Sequence, residues 1–376
     1  MNPFSKILST GLSAFSSGNK GESVVGIDIG SSAIKVVQLR RKGAKAILET
    51  YGALALGPYA GVEVGHTTNL PPDKLSLALT DVLREASITT KECAISIPAA
   101  SSLVFLINLP SSISEKELPN VIATEARKYI PVPITEVSLD WWIIPKKEES
   151  FEESPTEGAM VAKREILIAA IHNETIQKYR DIVKSTALDA SFFEIELFSS
   201  IRSSFNHELS TVLIIDMGAM KTKLSIIEYG IVHKFHTINR GSQDISSALA
   251  TSLNVTFLQG EQTKREFGLL GNPADPSVAQ VVKLSIDYIL SETASVILNY
   301  EREQNKTISK VILTGGGVLL KGFLPAAQEA FKSEVILAKP FDKVEAPAFL
   351  DKVLESAGPE FAVAAGLALR QLEQNS

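Results

Sequence analysis

The apolar residues of this chain form two patterns: short runs of strand length, and longer segments with apolar positions every three or four residues. Runs such as CAISI, VSLDWWIIP and REILIAAIH are bounded by turn residues and predict β-strands. The longer segments predict α-helices, which we place at residues 72–85, 115–129, 174–186 and 197–206. Because the two patterns alternate along the chain, they predict an α/β protein.

One apolar run carries an acidic residue near its middle, and the same arrangement occurs a second time. Residues 24–39 read VVGIDIGSSAIKVVQL, and residues 212–228 read VLIIDMGAMKTKLSIIE. Three pairs of residues align: Asp28 with Asp216, Gly30 with Gly218, and Lys35 with Lys223. Each copy predicts a strand, an Asp-x-Gly turn and a second strand. The offset of 188 residues is half the chain, so the repeat predicts two related lobes.

Each predicted hairpin has the composition of an anion-binding turn. Glycine lets the backbone approach a ligand closely, and a row of turn amides forms a nest for an anion. A carboxylate beside such a nest repels phosphate unless a Mg²⁺ ion lies between them. A single Asp-x-Gly is usually only a turn, but two aligned hairpins that face each other predict a site holding a Mg²⁺–nucleoside triphosphate from both sides.

Two further segments carry candidate ligand chemistry. Residues 311–322, VILTGGGVLLKG, place three glycines between a buried strand and a helix, where an anion or a purine ring can approach the backbone. A tight strand-to-helix turn explains the glycines equally well, and the chain has no G-x-x-x-x-G-K-[ST] phosphate loop. Residues 260–268, GEQTKREFG, predict a helix whose simplest interpretation is a solvated face with a Glu261–Arg265 pair.

Composition narrows the class of protein. With 376 residues, of which 45% are hydrophobic and 21% charged, the chain resembles an ordinary globular protein that is too long for one core. A net charge of −6 argues against broad nucleic-acid binding, and a single cysteine, Cys93, excludes an internal disulfide framework. No apolar run approaches the ~18–20 residues of a membrane span. Residues 1–22 predict a flexible or amphipathic N-terminal arm.

In this order, the segments resemble the motifs of the actin-like ATPase superfamily. Residues 25–39 and 212–230 resemble its two phosphate loops, residues 311–322 its adenosine motif, and residues 194–203 and 360–370 its two connecting helices. Within the superfamily, the sequence is most similar to the PilM family of type IV pilus assembly, which is close to FtsA. The stretches GIDIGSSAIKVVQL, AISIPAASSLVFLINLP and EARKYIPVPITEVSLDW carry this likeness.

The resemblance implies a two-lobed actin-like ATPase fold of duplicated RNase H-like domains, with an inserted 1C-type subdomain in lobe one. The implied boundaries are residues 1–22 for the arm, 23–91 for the first part of subdomain 1A, 92–173 for subdomain 1C, 174–208 for the second part of 1A, 209–355 for lobe two (2A and 2B), and 356–376 for a C-terminal helix that returns to lobe one.

The resemblance also implies roles for individual residues, with ATP in the cleft between the lobes. Asp28 and Asp216 would hold Mg²⁺ through waters and so serve catalysis. The phosphates would be bound at Gly30, Ser31, Ser32, Lys35, Gly218, Ala219 and Thr222. The adenosine would lie against Gly315, Gly316 and Gly317, with Glu261 and Lys264 near the ribose and base. Glu196 falls where some relatives place a catalytic glutamate, and a connector glutamate without that role is an equal alternative, so we expect slow turnover or ATP binding alone.

For function, the resemblance implies an ATP-binding component of the pilus assembly platform, cytoplasmic and peripheral at the inner membrane. Its partner would be a PilN-like membrane protein, whose N-terminal peptide docks in a groove that includes Phe105 and Tyr129, together with other platform proteins. Three alternatives stay open: an FtsA-like division protein, a filament-forming actin homologue, and a small-molecule kinase of the same superfamily. No nucleic-acid partner and no transmembrane segment are expected.

Overall fold

The computed structural model describes residues 23–144, 163–206 and 210–374. The predicted arm at residues 1–22 lies outside the described residues, as do residues 145–162, 207–209 and 375–376. Contacts divide the chain into two units. The larger unit comprises Ser17–Pro98 and Lys178–Ser376, and the smaller includes Ala99–Gln177.

The strands are β1 (Ser23–Ile29), β2 (Ala33–Lys42), β3 (Lys45–Ala55), β4 (Glu92–Ile97), β5 (Ser102–Pro110), β6 (Val137–Ile143), β7 (Lys163–His172), β8 (Asp189–Ile195), β9 (Val212–Met217), β10 (Thr222–Glu228), β11 (Ile231–Ile238), β12 (Lys310–Thr314) and β13 (Glu334–Leu337). The helices are α1 (Gly57–Ala60), α2 (Pro72–Glu85), α3 (Leu118–Ala126), α4 (Asn173–Ser185), α5 (Glu196–Ser204), α6 (Ser242–Leu253), α7 (Phe257–Phe267), α8 (Ser277–Gln304), α9 (Phe323–Ala330), α10 (Asp351–Ala357) and α11 (Ala362–Gln374).

The larger unit contains two five-stranded sheets with the same topology. Their strand orders are β3-β2-β1-β4-β8 and β11-β10-β9-β12-β13. In both sheets each of the first three strands pairs antiparallel with its neighbour. The fourth strand then pairs in parallel with the third, and the fifth in parallel with the fourth. We call the first sheet with α2, α5 and α11 lobe one, and the second sheet with α6 to α9 lobe two. The equal topologies confirm the duplicated, two-lobed fold predicted from the sequence repeat.

The central strands are apolar along most of their length because they are buried on both faces. All residues of β1 from Val24 to Ile29 are buried, and so are most residues of β9. In lobe two, α6, α8 and α9 contribute to one apolar core with the sheet. In lobe one, α11 packs against β1 and β2. The candidate site residues at the ends of β1 and β9 therefore extend from rigid strands.

The helices α5 and α11, which match the predicted connecting helices, cross with their backbones in close contact. A Cβ atom added to Gly366 would lie 1.9 Å from the carbonyl oxygen of Ser199, and one added to Gly26 would lie 2.0 Å from that of Ala364. Only glycine fits at these two positions. The small residues of the last helix are thus explained by close packing.

A buried charge cluster reinforces this crossing. Glu194 accepts hydrogen bonds from Arg370 at 2.6 Å, from both terminal nitrogens of Arg202 at 2.7 and 2.8 Å, and from the Ser199 hydroxyl at 2.5 Å. Burial alone would raise the pKa of Glu194, but the two guanidinium groups outweigh it and lower the pKa to about 2. The cluster therefore holds an ionised carboxylate between the helices.

This cluster predicts an acid-sensitive contribution to stability. Because the folded-state pKa lies below the unfolded value of 4.5, the stabilisation is complete above pH 4.5 and is lost as the pH falls towards 2. The shift corresponds to roughly 3 kcal/mol. We expect wild type to exceed Glu194→Gln in unfolding free energy at pH 7, and the gap to shrink between pH 4.5 and 3 in urea titrations. A gap that stays constant with pH would contradict this role.

The smaller unit is a three-stranded antiparallel sheet of order β5-β7-β6, with α3 packed on it. The predicted boundary at residue 92 placed β4 in the inserted subdomain, but β4 pairs in parallel with β1 and β8 in the larger unit, and the smaller unit's core segment begins at Ala99. An apolar run shows that a strand is buried but not which sheet it joins. Among the described residues, no helix has the length and apolar character needed to cross a membrane.

Candidate functional site

Asp28 stands near the end of β1 and is almost fully buried. The Ser96 hydroxyl, from β4, donates a hydrogen bond to Asp28 Oδ1 at 2.8 Å. Burial raises the pKa of Asp28; the Glu196 carboxylate adds to the rise, while the ammonium groups of Lys35 and Lys223 act against it. A cation bound nearby would stabilise the ionised form of such a buried carboxyl group.

The turns that follow the two acidic strands have the same hydrogen bond at equivalent positions. The Gly30 amide donates to the Ala33 carbonyl, and the Gly218 amide donates to the Lys221 carbonyl, both at 3.0 Å. These two amides close the turns in this structure, and phosphate binding at Gly30 and Gly218 stays a prediction. The amides of Ser31, Ser32 and Ala219 are also predicted phosphate donors.

Lys223 links the two lobes at this point. Its Nζ lies 2.8 Å from Asp216 Oδ2, across the β9–β10 pair, and 2.7 Å from Glu196 Oε2, at the start of α5 in lobe one. Burial lowers the pKa of Lys223, but the two carboxylates outweigh it and raise the pKa above its ordinary value. The side chain is therefore a permanent cation between Asp216 and Glu196.

The acidic residues of the two hairpins belong to one electrostatic cluster. The Lys223 ammonium forms an ion pair with Asp216 and also stabilises the negative charge of Asp28. Glu196 accepts a hydrogen bond from Lys223, and its own negative charge destabilises the ionised form of Asp28. Sequence reasoning aligned Lys223 with Lys35 but gave it no role. The available signal was its register: in a two-strand pair joined by a short turn, Lys223 lies opposite Asp216, as Lys35 lies opposite Asp28.

The three glycines after β12 lie against the second hairpin. Gly315 has a φ of +87°, and a Cβ there would lie 2.4 Å from Asp216 Oδ1. A Cβ on Gly317 would lie 2.5 Å from the Met217 Cγ. At Gly316, by contrast, the nearest atom would be 3.7 Å away, on Glu360. Glycine is thus required for packing at two of these positions, whereas Gly316 has space beside it.

Three other predicted site residues are held by protein partners. The Thr222 side chain is fully buried, and its hydroxyl donates to the Arg240 carbonyl at 2.9 Å, so it stabilises the hairpin, and its contact with phosphate stays a prediction. Glu261 and Lys264 form a buried ion pair at 2.5 Å. The predicted pairing of Glu261 with Arg265 is also present, at 2.6 Å.

A loop of lobe one, residues 57–68, reaches α6 and α7 of lobe two. The Glu63 carboxylate accepts a hydrogen bond from the Leu258 amide at 2.9 Å, and His66 stacks on Phe257 with ring centroids 3.5 Å apart. The Thr67 amide donates to the Gln243 side chain. Sequence reasoning assigned no role to this loop, although its glycines at 57, 61 and 65 signalled an unusual backbone path. The loop and the Lys223 bridge are two separate links between the lobes.

The donor set fits a nucleotide-bound Mg²⁺ better than a metal held by protein alone. No group of three or more His, Cys, Asp or Glu side chains in the described ranges is arranged to hold a metal ion. Mg²⁺ in nucleotide sites is usually held by one or two carboxylates, with waters and phosphates completing the shell. Asp28 suits this role, whereas Asp216 is already bonded to Lys223.

The two predicted partner-binding residues lie together in the smaller unit. Phe105 on β5 and Tyr129 after α3 stack with centroids 4.9 Å apart and planes inclined by 27°. Tyr129 is 53% exposed, so one face of the pair is open to solvent. Exposed aromatic side chains of this kind are typical anchors for a bound peptide.

Comparison with known proteins identifies the family. The profile described as Type IV pilus assembly protein PilM matches residues 26–372. The cell division protein FtsA of Enterococcus faecalis is 21% identical over an alignment 353 positions long, and the match covers 84% of this chain and 78% of FtsA.

Solved structures with a similar fold include a PilM–PilN type IV pilus biogenesis complex, with 22% identity, a TM-score of 0.77, and coverage of 93% of this chain and 98% of that chain. Another is MreB 5 of Spiroplasma citri bound to AMPPNP, with 10% identity, a TM-score of 0.52, and coverage of 95% and 98%. Both likenesses show the predicted actin-like fold. Because the family profile spans nearly all of the described residues, this protein belongs to the type IV pilus assembly protein PilM family, within the actin-like ATPase superfamily.

Proposed function

We propose that this protein is an ATP-binding component of a type IV pilus assembly platform, located in the cytoplasm at the inner membrane. In this proposal it binds the N-terminal peptide of a PilN-like membrane protein, and the cleft between its two lobes closes when nucleotide binds. The observation that carries the nucleotide half of the proposal is the charge cluster in which Lys223 of lobe two contacts Glu196 of lobe one, beside two acidic turns of the same geometry. The similar MreB 5 structure contains AMPPNP, which supports the same half.

Different residues of the chain would bind different parts of the nucleotide. Ser31, Ser32 and Ala219 would donate backbone hydrogen bonds to phosphate oxygens, and Lys35 would add a positive charge. Gly316 would leave room for the adenosine. Mg²⁺ bound with the nucleotide would neutralise phosphate charge beside Asp28. Glu261 and Lys264 would remain paired with each other and would form part of the wall of the adenosine site.

Hydrogen bonds between the phosphates and both lobes would favour a closed cleft. Converting a 1:99 balance of closed and open forms to 99:1 requires about 5.5 kcal/mol. Each hydrogen bond to a charged group contributes roughly 1.5–3 kcal/mol, so two to four contacts made only on closure are enough. A nucleotide-driven change of the cleft is therefore energetically reasonable.

Hydrolysis is expected to be slow. A glutamate that activates water must be able to accept a proton or orient the water. Here Glu196 Oε2 is bonded to the Lys223 ammonium at 2.7 Å, so this oxygen already has a partner and is not available to a water molecule. Single-turnover rates that are equal for wild type and Glu196→Ala would remove Glu196 from the mechanism.

The partner half of the proposal rests on the exposed Phe105–Tyr129 pair and on the similarity to a PilM–PilN complex. A Tyr129→Ala variant should bind the N-terminal peptide of the PilN-like protein encoded in the same genome at least tenfold more weakly, because the stacked aromatic surface is lost. Fluorescence anisotropy with a labelled peptide measures this.

Tyr288→Ala is the matched control for this experiment. Tyr288 is a similarly exposed tyrosine, 50% accessible, on α8 of the larger unit. The control should bind like wild type. Equal affinity of Tyr129→Ala and Tyr288→Ala would exclude the aromatic pair from the peptide site.

A further inference from the structure

Carbonyl groups of the two turns that follow β1 and β9 are held by segments outside the hairpins. In the first turn, the Ser31 carbonyl accepts hydrogen bonds from the Thr68 amide at 2.8 Å and from the Thr68 hydroxyl at 3.2 Å. In the second turn, the Gly218 carbonyl accepts a hydrogen bond from the Ser242 amide at 2.9 Å. Thr68 ends the loop of residues 57–68 in lobe one, and Ser242 is the first residue of α6 in lobe two. Each turn is therefore anchored from behind by its own lobe.

These anchors fix the direction of two amides that we assign to phosphate binding. Every peptide bond of the described residues is trans, and in a trans unit the C=O and N–H bonds point in opposite directions. The Ser31 carbonyl shares its peptide unit with the Ser32 amide, and the Gly218 carbonyl shares its unit with the Ala219 amide. Because each carbonyl points to its anchor, the Ser32 and Ala219 amides point away from the anchoring segments. A phosphate group between the turns would meet both amides in a fixed orientation.

Gln243, the second residue of α6, joins the two anchors. Its amide donates to the Ala219 carbonyl at 3.0 Å, so its backbone also holds the second turn. Its side-chain oxygen accepts a hydrogen bond from the amide of Thr67, which precedes Thr68 on the loop of lobe one. One residue thus connects the two turns through a path of hydrogen bonds that does not pass through the nucleotide site.

The start of α6 is held closely against the second turn. Gly241, the residue before the helix, is buried, and a Cβ atom added there would lie 2.4 Å from the Ala219 carbonyl oxygen. The Gly241 amide donates to Asp244 at 2.8 Å, which closes the first turn of the helix. The backbone of Gln243 is therefore fixed in lobe two, and its side chain makes the contact with lobe one. This contact can form only when the two lobes are close together.

We propose that Gln243 is a positioning residue that couples closure of the lobes to the orientation of the phosphate-binding amides. This role rests on the proposed nucleotide function. With the Thr67–Gln243 bond formed, both turns belong to one hydrogen-bonded unit, and the Ser32 and Ala219 amides keep a fixed spacing. Without that bond, the turns would be ordered relative to each other only when the triphosphate binds, and that ordering would lower the affinity.

Calorimetric titrations of the full chain with ATP and with adenosine, in excess Mg²⁺, test this role. Gln243→Met keeps the length of the side chain and removes the acceptor of the Thr67 amide. We expect its affinity for ATP to fall at least fivefold. Its affinity for adenosine should equal that of wild type, because the adenosine is proposed to lie against lobe two. Equal losses for both ligands, or no loss for ATP, would overturn the proposal.

Gln280→Met is the matched control for these titrations. Gln280 is an exposed glutamine in the first turn of α8, another helix of lobe two. The control should bind ATP like wild type, and a loss as large as that of Gln243→Met would overturn the proposal. If Gln243→Met does not fold, Gln243→Asn replaces it, because its shorter side chain moves the oxygen away from the Thr67 amide.

Hydrogen exchange without nucleotide tests the bond itself. The Thr67 amide should exchange at least tenfold faster in Gln243→Met than in wild type or Gln280→Met, because it has lost its acceptor. An unchanged exchange rate would overturn the proposal. A wild type that binds no ATP would refute the nucleotide function and this role with it. A wild type that binds ATP no more tightly than Gln243→Met would refute the role of Gln243 alone.

Discussion

An Asp28→Asn variant should bind ATP in the presence of Mg²⁺ at least about 100-fold more weakly than wild type, which is about 2.7 kcal/mol. Asparagine has nearly the same shape and can still accept the Ser96 hydrogen bond at its amide oxygen, so the strand and turn should be preserved. What is lost is the negative charge that suits a nucleotide-bound cation on the lobe-one side. Calorimetric titration with ATP and Mg²⁺ measures the change.

Asp287→Asn provides the control for this prediction. Asp287 is an exposed residue of α8 that pairs with Lys283 at 3.0 Å, and its loss changes the net charge of the protein by the same amount. The control should bind ATP like wild type. If Asp28→Asn binds within threefold of wild type, Asp28 does not hold the metal of the nucleotide.

The second large effect concerns the crossing of the connecting helices. Gly366→Ala should lower the melting temperature by roughly 3–4 °C. An added Cβ would lie 1.9 Å from the Ser199 carbonyl oxygen, so the helices must separate, and overpacking of this kind costs about 3 kcal/mol. The higher helix propensity of alanine offsets about 1 kcal/mol of this cost. The net loss of about 2 kcal/mol gives the expected shift for a unit of this size.

The direction of the change in melting temperature distinguishes the two possibilities. In a helix without a close neighbour, replacing glycine with alanine would stabilise the protein, whereas here we expect it to destabilise the protein. Gly316→Ala is a suitable comparison, since its added Cβ would be 3.7 Å from the nearest atom. Its melting temperature without nucleotide should stay close to that of wild type. A Gly366→Ala protein as stable as wild type would show that α5 and α11 separate easily.

Much of the fold follows from local patterns in the sequence. The aligned positions of Asp28 and Asp216 were enough to predict two equivalent hairpins, because strand register around a short turn is fixed by the pleat. The helix at Pro72–Glu85 was predicted with its observed bounds, since proline begins it and its apolar positions recur regularly.

The features that sequence reasoning missed depend on contacts between distant parts of the chain. The apolar pattern of β4 was correct, but its sheet was not, because burial does not specify a neighbouring strand. The sequence reasoning did not include the hydrogen bond by which each of the Gly30 and Gly218 amides closes its own turn. The Lys223–Glu196 bridge joins a strand of one lobe to a helix of the other, and no spacing along the chain encodes it.

The most direct test of the whole account is a crystal structure of the full chain grown with Mg²⁺ and a non-hydrolysable ATP analogue. We expect a triphosphate between the turn after Asp28 and the turn after Asp216, with the adenosine beside Gly316 and Lys223 still bonded to Asp216. A nucleotide that contacts one lobe only, or that binds away from both acidic turns, would contradict it.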